Sequence, residues 1–289
     1  MKHLDLRSRR LESSDLAALN AMSLAEGWGY GEVYWKVILS SCTGFGTFDE
    51  TGTMTGCIFV ANYGENRGNI GVLIVSKEHR GKGIASFLMD QAENIIADGH
   101  GAVSLVATKD GIPVYKHRGY EVVADCHQMI RWQGASPSPM PNLPGYRFSP
   151  ITEDNLADIL TLDRHSFGAD RSHILYALYN AADKTVALVD QETGRCCGFG
   201  MLYQRADMMK LGPIVANELD QAVAIVQMLI YGRSDTVRMD VLTHQPEFRE
   251  RVAEFGFAVD CVDPVMILRG GAEITQKPQL FAIGSQSLG

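Results

Sequence analysis

The chain lacks both a long apolar run and an excess of positive charge. Its 289 residues include 26 lysines and arginines against 34 aspartates and glutamates, which gives a net charge of −8. No stretch approaches the ~20 consecutive apolar residues that a membrane-spanning helix needs. Proteins that bind nucleic acids normally present a basic face, and this composition argues against one. We therefore predict a globular protein whose partners are neither membranes nor nucleic acids.

Closely spaced cysteine pairs are also missing. None of the six cysteines belongs to a Cys-x-x-Cys motif, and the adjacent Cys196 and Cys197 suit neither a zinc site nor an ordinary disulfide. We therefore predict no metal site. The cysteines are interpreted as small buried residues in a reducing compartment, which indicates the cytoplasm.

Proline is scarce except in one segment. Four of the ten prolines fall within residues 134–145, GASPSPMPNLPG. Because each proline restricts its own φ angle, such a segment is a partly stiff linker. The sequence therefore predicts two domains, residues 1–133 and residues 146–289, joined by this linker.

The most informative pattern that is present spans residues 71–92, GVLIVSKEHRGKGIASFLMDQA. Its β-branched and apolar residues 72–75 predict a buried strand. Apolar residues at near-helical spacing from Ile84 onward predict a helix that begins inside a glycine-containing turn. The pattern therefore predicts a strand that runs through a tight turn into a helix N-terminus.

The turn in this pattern predicts a site for an anion. The first N–H groups of a helix have no internal partner, Gly81 and Gly83 allow close approach of the backbone, and Arg80 and Lys82 add positive charge. A P-loop is excluded because Gly83 follows Lys82 where serine or threonine is required. A dinucleotide-binding turn is excluded because five residues separate the strand end at Val75 from the first glycine.

The stretch resembles motif A of the GNAT superfamily of N-acetyltransferases, Val-x-Pro-x-x-Arg-Gly-x-Gly-Ile-Gly/Ala. The matching positions are Val75, Arg80, Gly81, Gly83, Ile84 and Ala85. This resemblance implies an α/β (α+β) fold with a mixed, largely antiparallel sheet flanked by helices. It also implies that the turn, with Lys82, binds the pyrophosphate of acetyl-coenzyme A. Backbone groups at Leu73 and Val75 would bind its pantetheine and polarise the thioester.

A tyrosine further along the chain is a candidate acid. Tyr115 precedes Gly119 by four residues in the segment VYKHRGY, as in motif B of the same family. A tyrosine with a pKa of about 10 is protonated at neutral pH and can donate to a departing thiolate. The resemblance implies this role, and the alternative is that Tyr115 only packs a helix against the sheet.

The sequence repeats its own pattern after roughly 140 residues, which predicts two copies of one α/β fold. The second copy has residues 217–220, Asn-Glu-Leu-Asp, in place of the glycine turn, and Val252 in place of Tyr115. Its acidic residues would repel a pyrophosphate. Nearly the whole chain resembles a tandem-GNAT subfamily, here with a coenzyme-binding first domain and a degenerate second domain.

Candidates for the base and for the acceptor site come from loops. Glu26 and Glu65 lie in regions that face the acceptor in this fold, so each is either a general base or a solvated surface carboxylate. Trp28 and Tyr30 are candidates for the lining of the acceptor pocket. A charged segment of the second domain either forms internal ion pairs or binds the acceptor. Its residues are Asp163, Arg164, Asp170 and Arg171.

The sequence thus predicts an acetyl-coenzyme A-dependent N-acetyltransferase. The acceptor would be the primary amine of a small molecule, such as an amino acid, polyamine or aminoglycoside-like compound, attacking directly in a ternary complex. The second copy would wall the acceptor pocket or form a homodimer surface.

Two alternatives and one open point accompany this prediction. A protein-lysine or N-terminal acetyltransferase would need an open groove, and a non-catalytic acyl-coenzyme A-binding module would need no acid. Some tandem members use a terminal carboxylate as the base. The tail, residues 281–289, is therefore a free end, a docked segment or a source of the base.

Overall fold

The computed structural model describes residues 7–64, 66–274 and 276–289. Its first half alternates strands and helices in the manner predicted for an α/β unit. The strands are β1 (Arg7–Arg10), β2 (Thr43–Phe48), β3 (Met54–Asn62), β4 (Arg67–Val75), β5 (Ala102–Val106) and β6 (Glu121–Arg131). The helices are α1 (Leu16–Ala25), α2 (Gly31–Ser41), α3 (Ile84–Ile95) and α4 (Ile112–His117).

The second half has the same order of elements and adds a short strand near its end. Its strands are β7 (Tyr146–Ser149), β8 (Ala182–Asp190), β9 (Cys196–Arg205), β10 (Met208–Ala216), β11 (Val237–Leu242), β12 (Phe257–Leu268) and β13 (Leu280–Ala282). Its helices are α5 (Glu153–Phe167), α6 (Ser172–Ala181), α7 (Leu219–Ile230) and α8 (Pro246–Ala253). The predicted internal repeat is confirmed. No helix in the described ranges is long and apolar enough to cross a membrane.

All of these strands form one sheet, in the order β1-β2-β3-β4-β5-β12-β6-β11-β10-β9-β8-β7, with β13 beside β10. The pairs β4–β5 and β10–β11 are parallel. The other neighbouring pairs are antiparallel. The predicted mixed and largely antiparallel sheet is therefore confirmed.

The strand that closes each half lies in the sheet of the other half. β6 pairs with β11 through residues 126–131, and β12 pairs with β5 through residues 265–268. β6 and β12 also pair with each other and so join the halves. The sequence does not show this exchange, because the apolar pattern of a strand indicates that it is buried but not which strand it pairs with.

The strands are covered by helices on both faces. Side chains alternate along β3, so that Ile58 packs with α3 while Phe59 packs with α1 and α2. The second of these layers continues across the molecule, where α2 packs against α6 and Tyr34 stacks on Tyr203 with ring centroids 6.0 Å apart. The largest cluster of buried apolar residues therefore lies between the halves and holds them together.

Candidate active site

Two neighbouring strands of the first half diverge and open a cleft. β4 and β5 pair only through residues 67–69 and 102–104, although β4 continues to Val75. In the unpaired part Val72 has a φ of +56°, a left-handed conformation that β-branched residues rarely adopt. Beyond residue 69 this edge of β4 has no strand partner among the described residues, and Leu73 and Val75 line the opening. This divergence exposes the edge of β4 at which the resemblance places the pantetheine arm.

The turn after β4 brings free N–H groups to this cleft. The first helical hydrogen bond of α3 runs from the Phe87 N–H to the Gly83 carbonyl oxygen at 3.1 Å. The N–H groups of residues 84–86 consequently have no partner in the described chain. Gly81 and Gly83 have φ of +74° and +83°, and a Cβ on either would meet open space. Their conformation requires glycine, and the missing side chains leave room for an anion.

Arg80 ties this turn to the rest of the first half. Its Nε donates to the Val75 carbonyl oxygen at 3.1 Å, and its Nη2 lies 2.6 Å from Glu26 Oε1. Glu26 was predicted as a candidate base. The structure does not support that role, because its carboxylate is already bound to the guanidinium that holds the turn.

A cavity of about 560 Å³ follows the cleft and the turn. All but one of the residues predicted to contact acetyl-coenzyme A line it, namely Leu73, Val75, Arg80, Gly81, Gly83, Ile84 and Ala85. Lys82 is exposed and does not line the cavity. Sequence analysis missed the opposite side of the cleft, which comes from the loop after β5 and from α4. The residues on that side include Thr108, Asp110, Gly111 and Val114.

Tyr115 lies where this cavity meets a second one. Its side chain is 8% exposed and lines both cavities. Burial raises the pKa of the Tyr115 phenol to about 12. Within the described chain its hydroxyl has no hydrogen-bond partner. A protonated and unpaired hydroxyl at this junction is suited to donate a proton to a departing group.

The second cavity lies between the halves and measures about 790 Å³. The predicted acceptor residues Trp28 and Tyr30 both line it, with ring centroids 5.9 Å apart. It shares Trp28, Leu73, Thr108 and Tyr115 with the first cavity. The second half contributes residues that the sequence did not single out, namely Arg205, Ala206, Asp207, Met208, Arg238, Asp260 and Asp263. No single motif contains these positions, since residues 205–208 form the β9–β10 turn, Arg238 lies on β11, and Asp260 and Asp263 lie on β12.

The charged segment of the second half does not contribute to either cavity. Arg171 donates to both carboxylate oxygens of Asp163 at 2.9 and 2.8 Å, and both side chains are 1% exposed. Arg164 and Asp170 form an ion pair at the surface. None of the four lines either cavity. Of the two interpretations that the sequence left open, internal pairing is the one that the structure shows.

The carboxylates that line the acceptor cavity differ from the two predicted as bases. Glu65 lies outside the described residues, and Glu26 is bound to a guanidinium. The carboxylates that line the cavity are those of Asp207, Asp260 and Asp263. Asp263 Oδ2 accepts hydrogen bonds from Gln128 Nε2 at 2.6 Å and from Gln286 Nε2 at 3.4 Å.

The matching cleft of the second half is filled by the chain itself. β13 pairs with β10, and the Ile283 N–H donates to the Asp240 carbonyl oxygen on β11 at 3.1 Å. At the start of α7, the Glu218 side chain accepts from the N–H of Gln221 in a capping box. Val252, where the first half has Tyr115, is fully buried. β13 and the capping box of α7 occupy the positions that are open at β4 and α3 in the first half. This supports the prediction that the second copy does not bind coenzyme A.

The tail docks between the halves. The Tyr203 hydroxyl donates to the Gly284 carbonyl oxygen at 2.8 Å, and Arg171 Nη1 donates to the Gly289 carbonyl oxygen at 2.7 Å. Ser287 lines the acceptor cavity, whereas Gly289 lines neither cavity that holds Tyr115. Of the possibilities predicted for the tail, the structure shows docking and does not support a base at Gly289.

Comparison with known families agrees with these features. Residues 43–122 and residues 159–282 match two family models, each described as an acetyltransferase (GNAT) domain. A relative from Bacillus subtilis, the uncharacterized N-acetyltransferase YitH, is 27% identical over 281 residues, which cover 97% of each chain.

Solved structures share the fold. A putative acetyltransferase from Pyrococcus horikoshii has a TM-score of 0.75 at 16% identity, over 100% of this chain and 98% of that one. A tandem GNAT protein from the clavulanic acid biosynthesis pathway has a TM-score of 0.66 at 13% identity, over 91% of this chain and 98% of that one. The chain therefore belongs to the GNAT superfamily of acetyltransferases and carries two GNAT domains in tandem.

Proposed function

We propose that the protein is an acetyl-coenzyme A-dependent N-acetyltransferase that acetylates the primary amine of a small molecule by direct attack in a ternary complex. The observation that carries this proposal is the position of Tyr115, which lines both the cleft beside α3 and the cavity between the halves. Coenzyme and amine would enter from different cavities and meet at one proton donor, as a direct transfer requires.

The residues of the first cleft fit acetyl-coenzyme A. The free N–H groups of residues 84–86 and the dipole of α3 favour the negative charge of a pyrophosphate. Gly81 and Gly83 allow it to approach the backbone, and the unpaired edge of β4 at Leu73 suits an extended pantetheine arm. When bound, acetyl-coenzyme A supplies the acyl group as a thioester.

The residues at the junction of the cavities would then serve the transfer. The backbone at Leu73 polarises the thioester carbonyl, which the amine attacks to form the new C–N bond. Tyr115 donates its proton to the sulfur as the C–S bond breaks. The carboxylates of Asp260 and Asp263 line the acceptor cavity and supply acceptors for the proton that the amine loses.

The walls of the second cavity favour a small acceptor over a protein. They come from both halves, from the exchanged strand β6 and from the tail, represented by Leu24, Asp207, Gln128 and Ser287. A lysine on a folded protein would need a groove open along its length. A non-catalytic module would need neither the free Tyr115 hydroxyl nor the junction of the two cavities.

We also propose a cytoplasmic location. All six cysteines are unpaired, and Cys57 and Cys126 are buried as predicted. Burial raises the pKa of the Cys57 thiol to about 12. The other four cysteines are partly exposed, so the prediction of burial is wrong for them. Unpaired thiols suit a reducing compartment. The homodimer surface stays a prediction.

Replacing Tyr115 by phenylalanine tests the proposal directly. Release of free thiol from acetyl-coenzyme A is measured with a panel of amino acids, polyamines, aminoglycosides and lysine peptides. For Tyr115→Phe we expect kcat to fall by about a hundredfold or more, because a positioned general acid contributes that much. The affinity for acetyl-coenzyme A should change by less than about twofold, since only the hydroxyl is lost.

Tyr120→Phe is the matched control. Tyr120 packs 5.8 Å from Tyr115, and its hydroxyl bonds Glu93 instead of facing a cavity. This variant should retain its kcat. An unchanged kcat in Tyr115→Phe would remove the proposed acid, and turnover confined to lysine peptides would favour a protein acceptor. Coenzyme binding without turnover of any amine would favour the non-catalytic acyl-coenzyme A-binding module.

A further inference from the structure

Arg205 lacks the carboxylate partner that the other arginines lining the two cavities have. Arg80 and Arg238 each bind a carboxylate. In the described chain the Arg205 guanidinium forms no ion pair and no hydrogen bond, and its Nε is buried without a partner. A buried hydrogen-bond donor without an acceptor reduces the free energy of unfolding. A bound ligand that accepts a hydrogen bond from the donor removes this cost. This group is therefore available to a ligand in the acceptor cavity.

The backbone around Arg205 is held against the first half. Arg205 ends β9 and pairs with Met208 across a two-residue turn. A Cβ at Gly31, the first residue of α2, would lie 2.7 Å from the Ala206 nitrogen. The turn thus packs directly on the backbone at the start of α2. This contact positions a side chain of the second half in a cavity that it shares with Tyr115.

The guanidinium itself is oriented by aromatic rings. Its Cζ lies 4.7 Å from the centroid of the Tyr30 ring and 5.4 Å from that of the Tyr34 ring. Stacking of this kind restrains the guanidinium while its N–H groups remain available for a planar or tetrahedral anion. Arg205 is therefore pre-oriented for binding before a ligand arrives.

The second arginine of this cavity is bound to a buried carboxylate. Asp240 is fully buried, with one carboxylate oxygen 2.7 Å from Lys210 Nζ and the other 2.9 Å from Arg238 Nε. One carboxylate thus serves two cations, and Arg205 adds a third. Arg238 lines the same cavity as Arg205. Both arginines of this cavity therefore come from the second half, and Arg205 is the one without a carboxylate partner.

We propose that the acceptor amine also carries an anionic group, which Arg205 binds with the assistance of Arg238. This inference rests on the proposed function and specifies its substrate class. The remaining charged groups of the cavity are Asp207, Asp260 and Asp263, none of which pairs with Arg205. Unneutralised groups of both signs suit a molecule with an amine and an anion. Polyamines and aminoglycosides carry only positive charge and would leave Arg205 without a partner.

Matched pairs of amines test the proposal on the unmodified protein. Ornithine and putrescine, and likewise lysine and cadaverine, differ by a carboxylate, whereas phosphoethanolamine and ethanolamine differ by a phosphate. Thiol release from acetyl-coenzyme A gives kcat/KM for each. In at least one pair we expect the anionic member to be favoured by about tenfold or more, as a charge-assisted hydrogen bond would produce. The favoured pair also distinguishes a carboxylate from a phosphate.

Arg205→Gln identifies the residue responsible. We expect kcat/KM for the anionic member to fall by about ten- to a hundredfold, mainly through KM. The kcat/KM of the member without the anionic group should change by less than about twofold, and so should the affinity for acetyl-coenzyme A. Arg251→Gln is the control, because Arg251 pairs with Asp220 at the surface and lines neither cavity. The thermal midpoint of each variant is compared, and the substrate pairs remain decisive if Arg205→Gln unfolds.

The outcomes separate this inference from the proposed function. Equal kcat/KM within every pair, or equal losses for both members in a folded Arg205→Gln variant, would overturn the anionic acceptor and leave the acetyltransferase standing. If no amine is turned over although acetyl-coenzyme A binds, the acetyltransferase proposal fails and this inference fails with it.

Discussion

Tyr115 is held at the junction of the two cavities by its immediate neighbours. Gly111, four residues earlier at the start of α4, leaves space for the ring, because a Cβ there would lie 2.7 Å from Tyr115 Cε2. Tyr120 packs nearby with a centroid distance of 5.8 Å. Burial disfavours the phenolate and so raises the pKa of Tyr115 to about 12. The same packing that places the hydroxyl therefore keeps it protonated.

The raised pKa of Tyr115 leads to a prediction about pH dependence. At pH 10 a phenol with a pKa of about 12 is roughly 1% ionised, whereas an exposed tyrosine would be about half ionised. Because the acid form stays populated, kcat at saturating substrates should not fall between about pH 7 and 10 through this group. The kcat–pH profiles of the native protein and of Tyr115→Phe are compared. A decline near pH 10 that is present in the native protein and missing in the variant would contradict the prediction.

The helices α3 and α7 occupy equivalent positions in the two halves, but only the N-terminus of α3 is free to bind an anion. Before α3, Gly83 adopts a left-handed conformation and leaves the first N–H groups free. Before α7, Glu218 caps the helix with its own carboxylate, and β13 fills the adjoining cleft. A ligand with a pyrophosphate therefore has a site at one helix, whereas the chain has already occupied the other.

This difference predicts one molecule of coenzyme A bound per chain. Gly83→Val should weaken binding by about tenfold or more, because a β-branched residue in a left-handed conformation costs roughly 1–3 kcal/mol and its side chain enters the cleft. Glu218→Gly is the matched change in the second half. It should leave one site, since β13 remains in place. Isothermal titration calorimetry gives the number of sites, and a value of two for the native chain would contradict this account.

At the level of the whole molecule, the exchange of β6 and β12 makes the two halves depend on each other. Without β12, the edge of β5 has no partner, and without β11 and β12, β6 has none. An unpaired strand exposes N–H and C=O groups and favours aggregation. The acceptor cavity likewise needs both halves, because Tyr115 and Arg205 come from different ones.

We therefore predict that residues 1–133 do not form a stable domain alone. Expressed separately, they should aggregate or show a weak and non-cooperative unfolding transition in circular dichroism. Co-expression with residues 134–289 should restore a soluble complex, because both exchanged strands regain their partners. Size-exclusion chromatography follows the assembly. A monomeric and cooperatively folded fragment 1–133 would show that the exchange is dispensable.

Much of the first half could be predicted from residues close together in the chain. The strand–turn–helix over residues 71–92 depends on local periodicity and on the conformational freedom of Gly81 and Gly83, so its shape and its anion-binding character follow from the sequence. The role of Tyr115 could be predicted because this residue belongs to a short sequence motif. The repeat was visible because both halves keep the same local pattern.

The rest depended on contacts between distant segments. Apolar alternation marks β6 and β12 as strands, but hydrogen bonding across the sheet selects their partners. Asp163 and Arg171 satisfy each other within the core, whereas Arg205, in an unremarkable hairpin turn, faces the acceptor cavity. The sequence alone does not distinguish a charged residue that forms an internal ion pair from one that faces a cavity. Its role follows from which groups the fold brings within reach of its charge, because hydrogen bonds and Coulomb forces act over distance in space, not along the chain.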